Sequence, residues 1–313
     1  MPCKKKFLNI SIRSAECYLN NYANEKAEEN SALFYGRNMI TSTANTKVKR
    51  VVALQEKSKN RVKENVFIVE GPKMFEEAPM ERILEVYVEQ NLFEELTAQG
   101  SPIAAKIEDC KAKGIFTETV SSEVFGKMSD TKSPQGILCI MERYAYECKE
   151  MISKAVKKQK ETGHKPLFLL LEDIQDPGNL GTMIRTAEGA GADGILMTRG
   201  CVDIYNPKTI RATMGSLYRM PFYYGESMEE MISFLKEQGI LVYAAHLKGE
   251  KYYHEMEFPG GSAFLIGNEG NGLKKETADA ADLYLKIPME GKLESLNAAV
   301  AAALLIYHAR FGA

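Results

Sequence analysis

The chain has 313 residues, of which 45% are hydrophobic, with 40 lysines and arginines against 42 acidic residues, for a formal net charge of −2. That apolar content can fill two cores, and the near-neutral balance excludes a uniformly basic nucleic-acid binder. No apolar run approaches the ~20 residues a membrane helix needs, and cysteines at 3, 17, 110, 139, 148 and 201 with four isolated histidines offer neither a disulfide framework nor metal-ligand spacing, so a metal-free cytoplasmic protein with reduced, buried thiols is expected.

In chain order, Lys4-Lys5-Lys6 before Phe7-Leu8-Asn9-Ile10 has the charge of a secretory leader, but its apolar stretch is too short and is interrupted. Lys47, Lys49, Arg50, Lys57, Lys59, Arg61 and Lys63 then concentrate positive charge, and the apolar positions Val48, Val51, Val52 and Leu54 predict a helix with an apolar face and a basic face. The basic face is suited to tracking phosphates, and a solvated helix face explains it equally well. Val66 to Glu70 reads as a strand, Gly71-Pro72 as a turn, Lys73 onward as a helix, and Val86-Tyr87-Val88 as another strand, which implies a small α/β domain. Residues 146–165 are polar and lysine-rich and read as a linker or connecting helix.

From Leu167 the pattern changes to that of a larger α/β unit. Leu167–Leu171 has the continuous apolar character of a buried parallel strand, and Asp176-Pro177-Gly178 forces a turn. Asn179 is expected to cap the following helix, which would turn Met183, Ile184 and Ala187 toward a sheet. Arg185 would stand one turn from the helix start, where the positive helix end disfavours a cation unless it faces an anionic or developing-anion partner. Ordinary turn punctuation and a solvated arginine are the plainer alternative. Gly189-Ala190-Gly191-Ala192-Asp193-Gly194 matches G-x-G-x-x-G literally, but it ends a helix and leads into a strand, the reverse of a dinucleotide-binding loop. Ala263–Ile266 is a strand running into Gly267-Asn268-Glu269-Gly270-Asn271-Gly272, whose glycines would let backbone approach a ligand. Ile287-Pro288-Met289 precedes Ser295-Leu296-Asn297 and an alanine-rich helix from Ala298, with Ser295 read as its cap and Asn297 near its start.

Three segments together resemble the motifs of the SpoU, TrmH-like branch of the SPOUT RNA methyltransferases. They are Asn179-Leu180-Gly181-Thr182-Met183-Ile184-Arg185, Gly267-Asn268-Glu269-Gly270-Asn271-Gly272-Leu273, and Ile287 through Ala301 with its Ser295-Leu296-Asn297. The resemblance spans roughly residues 165–311. A looser similarity, carried by Ile40 through Leu54, Phe67–Gly71 and Ser129–Ile137, links the preceding part to the L30e-like substrate-binding domain of such enzymes.

The resemblance implies a mostly parallel SPOUT α/β domain with a deep trefoil knot over 166–313, an L30e-like RNA-binding domain over 39–145, and a homodimer. Residues 1–38 then become an extension, expected to be disordered or an overcalled gene start. It further implies transfer of a methyl group from S-adenosylmethionine to a ribose 2′-hydroxyl. Arg185, Asn179, Glu269, Asn297 and Ser295 would form the catalytic constellation, with Glu269 positioning Arg185 or a proton. Leu265, Ile266, Gly267, Asn268, Gly270, Ile287, Pro288, Met289 and Leu296 would hold the cofactor. Ribosomal RNA, 23S in particular, is the expected substrate; transfer RNA and a non-catalytic RNA-binding role on the same fold remain as alternatives.

Overall fold

The computed structural model describes residues 39–312, so the expectations for 1–38 lie outside the described residues. Thr41–Ala313 form one compact unit with two sheets. The first contains β1 (Val66–Glu70), β2 (Ile83–Glu89), β3 (Phe116–Val120) and β4 (Ile137–Glu142), in the order β1-β4-β2-β3. Strand β4 runs antiparallel to β1 and β2, while β2 and β3 are parallel. Six helices accompany this sheet: α1 (Thr46–Glu56), α2 (Ser58–Glu64), α3 (Pro72–Glu77), α4 (Gln90–Ala98), α5 (Pro102–Ala112) and α6 (Ser122–Met128).

The basic segment is two helices rather than one. Lys57 adopts an extended conformation between α1 and α2, and the Arg61 guanidinium reaches back to the carbonyls of Leu54 (2.8 Å) and Gln55 (3.1 Å). These are end-of-helix acceptors that a continuous helix would have used itself. Val48, Val51 and Leu54 are fully buried, so the expected apolar face is present.

Of the two alternatives for residues 146–165, the structure has the helix. Helix α7 (Cys148–Thr162) buries Cys148, Met151, Ile152 and Ala155, spaced three and four apart, against Phe168, Leu170 and Leu196 of the second sheet. Burial pushes the Cys148 thiol up to about 11, as expected of a packing cysteine.

The remaining elements alternate. In order they are β5 (Leu167–Leu171), α8 (Pro177–Gly189), β6 (Gly194–Thr198), α9 (Pro207–Thr213), β7 (Phe222–Gly225), α10 (Met228–Glu237), β8 (Leu241–Ala245), β9 (Lys251–Tyr252), β10 (Ser262–Ile266), α11 (Lys275–Asp279), β11 (Leu283–Lys286) and α12 (Ala298–Phe311). The seven strands are parallel in the order β7-β6-β5-β10-β8-β11-β9. The late strand β10 is thus inserted between β5 and β8, the interleaving of early and late chain on which the expected knot depends. Every residue of β5, β6 and β10 is buried, as both-face coverage by helices requires. The glycine-rich run at 189–194 closes α8 and enters β6, with Gly191 at φ +66°. No helix among the described residues is long and apolar enough to cross a membrane.

Candidate active site

A parallel sheet delivers all its strand ends to one edge, and here the segments after β5, β8, β10 and β11 converge there. Glu172, only 2% exposed, follows β5 and accepts hydrogen bonds from the Lys274 N–H (2.8 Å) and the Thr277 hydroxyl (2.5 Å). Asp173 follows in the left-handed region at φ +53°. The Lys274 ammonium at 2.7 Å, helped by the Thr198 hydroxyl, holds its carboxyl below the ordinary value despite partial burial. The turn is therefore pinned before α8 begins.

Glu269 is the hub of this edge. Partial burial alone would raise its pKa, but the Asn179 amide at 3.0 Å and the backbone N–H groups of Gln175 and Asp176, both at 3.1 Å, outweigh that and hold it below its ordinary value. Asn297 donates from Nδ2 to Asn179 Oδ1 (2.9 Å), while its own oxygen accepts from Ala299 and Val300. Glu269, Asn179 and Asn297 thus form one chain of hydrogen bonds joining β10, α8 and α12. Asn268 turns inward, accepting from Gly270 and Asn271 and donating to the Asp173 carbonyl at 2.8 Å. Gly267 permits the loop to fold back, because a Cβ there would lie 2.2 Å from the Gly272 carbonyl carbon.

Several expected roles change. Asp176, not Asn179, caps α8, accepting from the Asn179 N–H at 2.8 Å, because the helix begins at Pro177. Asn297, not Ser295, caps α12; Ser295 is exposed and lines the cavity described below. Arg185 is the ninth residue of α8, two turns in, so helix-end repulsion does not act on it and that reason for an anionic partner fails. It is exposed on the face shared with Gly178 and Thr182, and among the described residues it makes no hydrogen bond or ion pair, with Glu269 or any other group. Met183, Ile184 and Ala187 do face the sheet, fully buried. Gly181 lies against α9, where a Cβ would sit 2.4 Å from that of Ala212 and 2.6 Å from the Thr209 carbonyl oxygen.

Beside the hub lies a cavity of 390 Å³. Of the expected cofactor contacts, Ile266, Gly267, Asn268, Gly270, Ile287, Met289 and Leu296 line it. Leu265 does not: its side chain is fully buried in the core with Leu170 and Ala244, and alternation along β10 gives the cavity to its neighbour. Pro288 is exposed and does not line it. Sequence reasoning missed the wall made by Ala245, His246, Leu247 and Lys248. The available signal was an apolar strand ending at Ala245 before a polar run. His246 packs against Tyr284 with the rings tilted by 35° and 4.8 Å between centroids, and accepts from the Lys248 N–H.

Among the basic residues, Lys49, Lys57, Lys59 and Lys63 are exposed, and Lys47 is exposed with its ammonium 3.4 Å from the Phe116 ring centre. Arg61 is no phosphate contact: 4% exposed, it pairs with Asp203 at 2.6 Å, which also accepts from Ser58 at 2.8 Å. Arg50 is likewise engaged, by Glu64 and Glu85.

Residues 166–307 match the SpoU rRNA Methylase family, and residues 45–139 match the MRM3-like substrate binding domain. The chain is 34% identical over 271 residues to the 23S rRNA (guanosine(2553)-2′-O)-methyltransferase RlmP of Bacillus subtilis, covering 87% of this chain and 98% of that protein. It belongs to the SpoU rRNA methylase family. The AdoMet-bound rRNA methyltransferase from Sinorhizobium meliloti superimposes with a TM-score of 0.73 at 29% identity, over 87% of this SpoU chain and 97% of that one. The SpoU methyltransferase AviRb from Streptomyces viridochromogenes shares the fold, with a TM-score of 0.68 at 23% identity over 84% of this chain and 96% of its own. The match that begins at residue 45 accounts for the first sheet, and the SpoU match for the parallel sheet and its carboxyl edge.

Proposed function

We propose that this SpoU-family enzyme transfers a methyl group from S-adenosylmethionine to the 2′-hydroxyl of a single ribose in RNA, with 23S ribosomal RNA as substrate. The observation that carries the reading is the chain Glu269–Asn179–Asn297, which ties the glycine-rich loop, the Arg185 helix and the last helix together beside the cavity. The cavity suits an adenosyl group: its volume falls within the usual range for small-molecule sites, its walls at Ile266, Ile287, Met289 and Leu296 are apolar, and the 267–272 backbone offers polar groups. When bound, the sulfonium supplies an already activated methyl group.

The chain's own residues then orient and stabilise. Glu269 and the two asparagines keep the loop and helix in register. The Arg185 guanidinium is free to grip a phosphate and to stabilise the oxygen as it develops negative charge. Exposed Lys47, Lys49, Lys57, Lys59 and Lys63 supply phosphate contacts on the substrate-binding part. Val300 and Tyr307, 48% and 44% exposed, lie with Thr186, Tyr253, Ala303 and Leu304 in an apolar surface hollow on α12 and α8. A second copy is assigned to this surface, and Thr186 puts Arg185 at its border. A ribosomal-RNA substrate places the enzyme in the cytoplasm.

The deciding experiment supplies radiolabelled S-adenosylmethionine and total RNA from a strain lacking the gene, and maps alkali-resistant linkages. Label at one 2′-O-methylated 23S position is expected. Label confined to transfer RNA would replace the substrate, and no incorporation together with no cofactor binding would remove the reading. Arg185→Ala is expected to lower transfer by about 10²–10³ while leaving cofactor affinity intact; full retained transfer would strip Arg185 of its role.

A further inference from the structure

Glu70 ends β1 with its side chain buried, 8% exposed, and among the described residues it makes no ion pair. Its two oxygens accept instead from the Ser129 hydroxyl (2.8 and 2.9 Å), the Thr131 hydroxyl (3.4 Å) and the Gln135 amide (3.1 Å). A buried carboxylate is costly, and a hydrophobic residue would serve the sheet better. This one is committed wholly to a single surface loop, Ser129–Gln135, whose Lys132, Ser133, Pro134 and Gln135 are exposed. The loop therefore has a shape imposed on it.

The loop also has a fixed place relative to the catalytic helix. Lys208 and Arg211 lie one turn apart on α9. Lys208 reaches Asp176, the cap of α8, at 3.9 Å, and Arg211 reaches Asp130 in the loop at 3.0 Å. Helix α9 packs on α8 at Gly181 with no room for a methyl group. The loop and the start of α8 are thus both tied to α9, at residues three apart, about 4.5 Å along its axis. Its only acid, Asp130, is matched by Arg211, which leaves Lys132 and the nearby exposed Lys127 as the outward charge.

We propose that Ser129–Gln135 is an RNA-contact loop that grips the substrate backbone next to the target nucleotide, with Lys132 on a phosphate and Glu70 as the positioning residue that sets its shape. This rests on the RNA-methylation reading above and adds a contact separate from the lysines of α1 and α2.

The test measures binding of ribosomal RNA from a strain lacking the gene, as a function of salt, for the full-length wild type, Lys132→Gln and Glu70→Gln. Lys132→Gln, a surface change, is expected to weaken binding roughly fivefold and to reduce the log–log salt slope by about 0.7 to 0.9, one phosphate's share. Glu70→Gln is expected to weaken RNA binding and open the loop to protease, with S-adenosylmethionine affinity unchanged in both variants. A wild-type slope and affinity in Lys132→Gln would overturn the proposal, as would loss of cofactor affinity in that variant. Failure of the wild type itself to bind or methylate RNA would instead bring down the functional reading beneath it.

Discussion

Glu269 shows how one carboxylate can hold a loop, a turn and a helix start together at the edge of a sheet. Because its folded pKa lies below its unfolded value of about 4.3, it contributes stability above that value, lost as pH falls through the folded pKa. Cofactor affinity should therefore be insensitive to this group from about pH 8 to about pH 5 and fall only in more acid solution, which calorimetric titration across that span would check. Glu269→Gln turns one of the two acceptor oxygens into a donor, so that either the Gln175 N–H or the Asp176 N–H and the Asn179 side chain lose their acceptor, at about 1–3 kcal/mol. Transfer should then drop about tenfold or more with the fold intact, and an unchanged rate would exclude the hub role. The motif spacing made Asn179, Glu269 and Asn297 legible as one group. It could not reveal which side chain bonds which, because those bonds join residues 90 and 118 positions apart.

Helix boundaries decide the roles of residues whose identities were already clear. A one-turn shift in where α8 begins moves the cap from Asn179 to Asp176 and carries Arg185 out of reach of the helix end. Pro177 fits the first turn of a helix, since its missing N–H would have gone unpaired there, and that signal outweighed the asparagine. In the same way Asn297 displaces Ser295 at α12, and Asn297→Ala should cost about 1 kcal/mol as a lost cap besides cutting the tie to Asn179. Denaturant unfolding reads the first effect and methyl-transfer rate the second; a loss of stability with no loss of rate would separate them. Gly181 is legible in the motif only as a glycine; the contact with α9 that explains it is tertiary. The same holds for α7, whose lysine-rich outer face hid a buried stripe.

At the scale of the molecule, the two sheets belong to one unit because polar and aromatic groups bridge them. Arg61 pairs with Asp203, Arg219 with Glu77, and Tyr205 packs on Phe67 at 4.7 Å between ring centres. Arg61 looked in sequence like one more phosphate contact, since burial depends on chain 142 residues away. Asp203→Ala should leave the Arg61 charge uncompensated, at about 3 kcal/mol, and should impair methylation of long RNA more than cofactor binding. Equal loss of both, or of neither, would show that the bridge does not register substrate against site.

The placement of β10 between β5 and β8 also bears on how the protein is made. Leu167–Leu171 must pair with Ser262–Ile266 on one side, yet 95 residues separate the ends of those strands (266 − 171). At synthesis rates of about 5–20 residues per second, roughly 5–20 s pass before the partner exists. Throughout that interval a fully apolar strand has an open hydrogen-bonding edge, a state prone to wrong pairing. The strand that leads into α8 is therefore exposed early and completed late, and a nascent chain stalled before residue 262 would be a candidate for chaperone capture rather than a partial enzyme.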